Sequence, residues 1–181
     1  MNIPNIISML RILLVPLLVI FLLQGKIHFA LLVFLLAGLS DAVDGFLARL
    51  LHQQTSIGAF IDPLADKLLI NTAFVTLGIL GIMPGWLAVL VVSRDIIILA
   101  GILVLMLTGD RTMEIRPTLD SKINTVTQLG CVCFFLAFDL LGPIQAWEQA
   151  ILLVTAFFTM VSGFRYIVIG FRILGKTKDG E

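Results

Sequence analysis

Four aspartates stand within 26 residues of a largely apolar stretch, as Asp41-x-x-Asp44-Gly45-x-x-Ala48-Arg49 and, after eight residues, Gly58-x-x-x-Asp62-x-x-x-Asp66. Carboxylates are costly beside a bilayer, so a cluster at helical spacing between unbroken hydrophobic flanks calls for a compensating cation. Every donor in the pattern is a carboxylate oxygen, with no imidazole or thiolate, which favours Mg2+ or Mn2+ over Zn2+. Residues three, four and seven apart share a helix face, so Asp41, Asp44, Gly45, Ala48 and Arg49 form one stripe and Asp62 with Asp66 another. Gly45 lets a bulky group lie against the helix backbone, and Arg49 offers a planar fork for phosphate oxygens. Metal, arginine and bare backbone together describe a diphosphate site.

Other readings of the same carboxylates are weaker. Simple Asp–Arg pairing at a membrane interface does not require two Gly and one Ala at fixed offsets. An ion transporter would distribute its carboxylates at mid-membrane across a repeat, and the chain has no visible repeat. A Gly45→Trp change separates the transporter from a nucleotide site, because it fills the nucleotide space while leaving the carboxylates in place. An intramembrane prenyltransferase also binds diphosphate through Asp-rich helices, but in a longer chain with two separated motifs.

The elements that must carry these residues follow from apolar runs of about 20 residues, the length that crosses a bilayer. Six such segments are expected: Ile6–Leu23, Phe29–Leu51, Ala59–Leu80, Trp86–Leu107, Ile123–Leu141 and Trp147–Phe171. Breakers separate them at Gln24-Gly25-Lys26, His52 to Ile57, Gly81 to Gly85 and Gly142-Pro143, and a longer polar connection runs from Thr108 to Lys122. Pro63 is placed in the first turn of the third span, where its missing N–H is tolerated. The first run is expected to be a retained span, since no small-residue cleavage site follows it. Arg11, Arg49, Arg111, Arg116, Lys122 and the tail residues Arg172, Lys176 and Lys178 fall on one side, against Lys26 on the other. Both termini are therefore expected in the cytoplasm, with the aspartates near the cytoplasmic face.

Composition agrees with an all-α integral membrane protein of six transmembrane helices, forming a single domain over 1–181. The chain is 59% hydrophobic and 13% charged, with a mean hydropathy of +1.09. Twelve Lys/Arg balance twelve Asp/Glu, which argues against a nucleic-acid surface. Cys131 and Cys133 lie inside an apolar run with no His or second Cys pair nearby, and are expected in the core or against lipid. His28 and His52 sit at span ends without partners at ligand spacing, as interfacial residues do.

The chain resembles the CDP-alcohol phosphatidyltransferase family, whose signature D-x2-D-G-x2-A-R-x8-G-x3-D-x3-D is matched at every fixed position from Asp41 to Asp66. The resemblance implies a homodimer of six-helix protomers, with a binuclear site that transfers a phosphatidyl group from CDP-diacylglycerol to an alcohol and releases CMP. By the same resemblance, Asp41, Asp44, Asp62 and Asp66 hold two divalent ions, and Asp66 also takes the acceptor's proton. Gly45, Ala48, Arg49, Asn5 and Gly58 serve the CDP moiety. Pro4-Asn5-x-x-Ser8-x-x-Arg11 is similar to the family's amino-terminal element, with Ser8 where Thr is usual. Asp62-Pro63-Leu64-Ala65-Asp66-Lys67 resembles the branch of phosphatidylglycerophosphate synthases and mitochondrial-type cardiolipin synthases. The expected location is the inner (cytoplasmic) membrane of a cell, rather than the mitochondrial inner membrane.

Acceptor choice depends on cations near the metals, and Arg94, Arg111, Arg116 and Lys122 are the candidates. Arg94, beside Asp95 inside a span, either pairs with an acidic group or faces a polar cavity. Phosphatidylglycerophosphate synthases commonly carry Gly-Lys-x-Lys-Thr where this chain has Ser121-Lys122-Ile123-Asn124-Thr125, which is closer to the cardiolipin synthases. The stretch from Pro117 to Gln128 is also explained as a helix start alone. Glycerol 3-phosphate is the expected acceptor, with phosphatidylglycerol, giving cardiolipin, as the alternative. The basic tail is expected against anionic headgroups.

Overall fold

In a computed structural model, the described residues are 3–50, 58–107, 119–141 and 145–178, with side chains over 10–40, 67–101, 120–138, 147–168 and at 170. Among them are six α-helices and no strand: α1 Ile3–Leu23, α2 Ile27–Leu50, α3 Gly58–Ile79, α4 Gly85–Leu107, α5 Leu119–Leu141 and α6 Gln145–Lys178. The six helices coincide with the six apolar segments. Their ends differ where polar residues continue a helix beyond its apolar run. α1 begins at Ile3 because Pro4 is tolerated in a first turn. α5 begins at Leu119, with Asp120 complementing the helix dipole. α6 spans 34 residues, about 51 Å at 1.5 Å per residue, so it outreaches the roughly 30 Å core of a bilayer.

Two helix ends are closed by the same device. After α1, Gly25 has φ 69°, its N–H bonds Leu22 O at 3.0 Å, and the N–H of Lys26 bonds Phe21 O at 2.9 Å. After α3, Gly81 also has φ 69°, with Gly81 N–H to Gly78 O at 3.2 Å and Ile82 N–H to Leu77 O at 3.0 Å. This is the Schellman arrangement, in which a left-handed glycine satisfies the last carbonyls. It turns the chain within three residues between α1 and α2. Phe21 and Phe29 then meet across the turn, with ring centroids 5.5 Å apart.

The chain divides into two compact units, Met1–Gly85 with Val132–Ile144, and Trp86–Cys131 with Gln145–Glu181. In the first, α1, α2 and α3 pack against one another. Leu18 and Leu22 of α1, Ala30, Phe34 and Ala37 of α2, and Leu69, Ala73, Phe74 and Leu77 of α3 are buried. These positions recur every three or four residues, and the alanines let the helix backbones approach closely. In the second unit, the buried positions are Leu87, Val91, Arg94, Asp95 and Ile98 on α4, Asn124, Gln128 and Cys131 on α5, and Leu152, Thr155, Thr159 and Ser162 on α6.

Among the described residues, many large apolar side chains are exposed. Leu13, Ile79, Val89, Val126 and Phe164 are all more than 65% exposed, as in a protein solvated by lipid. Asp120–Phe138 and Trp147–Val168 are long and apolar enough to cross a membrane, and Leu10–Leu23, Ile27–Ser40 and Lys67–Ile79 are shorter apolar helical stretches.

Candidate functional site

Both halves of the aspartate motif lie on continuous helix. Asp41, Asp44, Gly45, Ala48 and Arg49 belong to α2, and Gly58, Asp62 and Asp66 belong to α3. α2 and α3 pack together, and seven residues join them. Asp44 lies six residues before the end of α2, and Asp62 four after the start of α3. Both pairs thus begin within about 9 Å of the same end of the helix pair. The side chains of these eight residues, and of Asn5 on α1, lie outside the described residues.

One expectation is corrected here. α3 starts at Gly58, so Pro63 is the sixth helical residue and falls in the second turn, not the first. Its missing N–H leaves the Ala59 carbonyl without a helical donor.

Arg11 adds a feature that its charge alone does not indicate. Counted above among the cytoplasmic-side charges, it is 1% exposed and is partnered within the protein. Helix register gives the level of Arg11 along α2. Arg11 is twelve residues before Leu23, and α2 runs back from Ile27, so the level residue on α2 is Leu39. Asp41 is about 3 Å further along the axis. A buried guanidinium needs a counter-charge to offset its desolvation.

The acceptor candidates separate. Arg111 and Arg116 lie outside the described residues, and Lys122 is exposed on the first turn of α5. Arg94 is 5% exposed and pairs with its neighbour, Nη1 to Asp95 Oδ1 at 2.6 Å. Its Nη2 donates to Ser162 Oγ at 2.6 Å and to Ser121 Oγ at 3.0 Å, and its Cζ lies 5.8 Å from the Tyr166 ring centroid. Pairing with Asp95, one of the two roles expected for Arg94, is present, and both terminal nitrogens are engaged by protein.

Behind this cluster runs a polar seam that sequence reasoning did not resolve. Thr159 Oγ1 donates to Asn124 Oδ1 at 2.8 Å, and Gln128 Nε2 donates to Thr159 Oγ1 at 3.4 Å. Ser121, Asn124, Gln128 and Cys131 on α5 thus run at offsets of three, four and three, opposite Ser162, Thr159 and Thr155 on α6. That periodicity is the available signal. It is the spacing of a helix-packing stripe, written in polar residues. At the α5 amino-terminal end, Asp120 pairs with Arg165 of α6.

The class follows from these features: an all-helical protein with a lipid-compatible exterior and a carboxylate motif carried on two packed helices. The CDP-alcohol phosphatidyltransferase family profile matches residues 1–162, and the chain belongs to that family. It is 34% identical to the cardiolipin synthase (CMP-forming) of Homo sapiens, over 98% of this chain and 64% of that protein. A probable phosphatidylglycerophosphate synthase of Mycobacterium tuberculosis is 32% identical over 96% of this chain and 84% of that protein. The CDP-diacylglycerol--glycerol-3-phosphate 3-phosphatidyltransferase of Bacillus subtilis is 34% identical over 91% and 93%. The chain spans less than two thirds of the length of the human and rat cardiolipin synthases that it matches.

Proposed function

We propose that this chain is a six-span membrane enzyme with both termini cytoplasmic, one domain over 1–181, that transfers a phosphatidyl group from CDP-diacylglycerol to a glycerol-type hydroxyl and releases CMP. The observation that carries this reading is the complete family signature placed on two packed helices, α2 and α3. The donor set fits a pair of hard divalent cations, Mg2+ or Mn2+, because it consists of carboxylate oxygens alone. Asp41, Asp44, Asp62 and Asp66 would hold them. When bound, such ions neutralise the diphosphate and stabilise the leaving CMP.

The chain's own residues do the rest. Arg49 engages the phosphates, and Gly45, Ala48, Asn5 and Gly58 accommodate the cytidine nucleotide. The acceptor oxygen bonds to the phosphatidyl phosphorus, the bond from that phosphorus to the CMP oxygen breaks, and Asp66 receives the hydroxyl proton. The enzyme works as a homodimer in a cell's inner membrane, with its site at the cytoplasmic face.

Glycerol 3-phosphate is the acceptor we assign, in keeping with the names of the M. tuberculosis and B. subtilis relatives. A specific observation favours phosphatidylglycerol as a second reading. The segment Ser121–Gln128 directs neutral amides and hydroxyls into the helix interface, Arg94 is already engaged, and Lys122 is the exposed cation among the described residues of that segment. The test is CMP release by the purified protein in detergent with CDP-diacylglycerol, Mg2+ and one acceptor at a time, each product lipid being weighed by mass spectrometry. Product from glycerol 3-phosphate supports the first assignment, and product from phosphatidylglycerol alone supports the second. Release with neither would sink both.

Gly45→Trp is expected to lower CMP release by at least about a hundredfold, because a 1 Å displacement of bound substrate already has effects of that order. Metal binding by the variant should persist, as titration of the divalent ion would report. Retained turnover would remove Gly45 from the nucleotide site.

A further inference from the structure

Within the second unit, a groove of about 650 Å3 runs along α6, walled by Phe157, Met160, Val161 and Phe164, with Asp120 and Arg165 also lining it. The wall is an outward face, since Phe157, Met160 and Phe164 are all exposed. What sets it apart from plain lipid-facing surface is the ion pair between Arg165 and Asp120. Helix length gives the depth of that pair. Arg165 follows the exposed Trp147 by 18 residues, about 27 Å along α6, and Asp120 is in the first turn of α5. With Trp147 at one membrane interface, the pair stands near the opposite one, at the headgroup level of a core roughly 30 Å thick. Phe157 is eight residues before Arg165, so the groove descends about 12 Å from that level toward the acyl region.

Charge decides what fits there. After pairing, the Arg165 side chain is still 56% exposed and that of Asp120 27%. A guanidinium has five N–H donors and a carboxylate about four lone-pair sites, more than one ion pair uses. The pair carries no net charge, so an anionic headgroup meets the carboxylate as well as the guanidinium. A headgroup with a phosphate and a primary ammonium complements both at once, whereas a quaternary ammonium has no N–H to give the carboxylate. We propose that the groove holds one phospholipid of the surrounding bilayer with a zwitterionic, primary-amine headgroup of the phosphatidylethanolamine type. Its phosphate meets Arg165, its ammonium meets Asp120, and an acyl chain lies along Phe164, Val161 and Phe157. The inference rests on α6 crossing the bilayer, and not on the acceptor assigned above.

The test is native mass spectrometry of the full-length, delipidated protein in detergent, titrated with phosphatidylethanolamine, phosphatidylcholine or phosphatidylglycerol of identical acyl chains. The wild type is expected to bind its first phosphatidylethanolamine roughly tenfold more tightly than either other lipid, the scale of a hydrogen bond to a charged group. Asp120→Ala should bring phosphatidylethanolamine down to the phosphatidylcholine level and tighten phosphatidylglycerol, because the repelling carboxylate is gone. Arg165→Gln should weaken all three by about tenfold, through the phosphate that they share. Both variants should fold, since exposed ion pairs contribute little to stability, and the lipid-free melting temperature checks this. Equal binding of the three lipids, a preference for phosphatidylglycerol, or a preference that neither variant alters would overturn the proposal. A paired protomer that Val161→Trp splits would overturn it too, by making a second copy of the chain the occupant of the groove.

Discussion

Asp66→Asn is expected to lower kcat for CMP release by roughly 10²–10⁴-fold, the usual contribution of a positioned general base. Asparagine has nearly the same shape and keeps one carbonyl oxygen, so α3 should form as before. What it loses is the ability to take a proton. In the proposed mechanism Asp66 lies beside two cations and would be an intrinsically weak base, so it would act through position, and its neutral isostere could not compensate by proximity. The measurement is single-turnover CMP release, with metal occupancy determined on the same samples. Near-normal turnover at unchanged occupancy would show that another group receives the proton.

Chelation is the second large effect. EDTA should abolish turnover, and Mg2+ or Mn2+ should restore it. In the proposed site, four carboxylates that share two divalent ions would repel one another once those counter-ions are gone. Two like charges 4 Å apart oppose each other by about 4 kcal/mol at an effective dielectric of 20. The metal-free protein should therefore melt at a lower temperature as well as lose activity. Full activity in excess EDTA would remove the divalent ions from the mechanism. Inactivity without any change in melting temperature would mean that the carboxylates stand too far apart to repel one another strongly.

Much of this architecture was legible in the sequence, for a local reason. Apolar runs of bilayer length and the glycines that end them are written in consecutive residues, so the six helices and the turns at Gly25 and Gly81 could be placed from the chain alone. The motif was equally legible because Asp41 to Asp66 lie on two successive helices. The limits of α5 and α6 were missed where polar residues such as Asp120 and Lys176 remain helical, since hydropathy marks the lipid-facing length and not the hydrogen-bonded length. Pro63 is the fifth residue even of the expected span from Ala59, so its first-turn placement was inconsistent with that span itself. Interactions between distant residues were the least accessible. Nothing near Arg11 indicates that it is buried, and the bonds from Arg94 to Ser162 and from Thr159 to Asn124 join residues 68 and 35 positions apart.

The three-residue turn at Gln24–Lys26 couples chain length to helix rotation. With both carbonyls at the end of α1 already satisfied by Gly25 and Lys26, the link has no slack. One added residue that extended α2 would turn it by about 100° relative to α1. That rotation would reach Asp41, about 21 Å along the helix, and turn the motif-bearing end of α2 by the same angle relative to α1. Side-chain identity in the turn is thus freer to drift than its length, and the amino-terminal end of α2 acts as a gauge for the end that carries the proposed site.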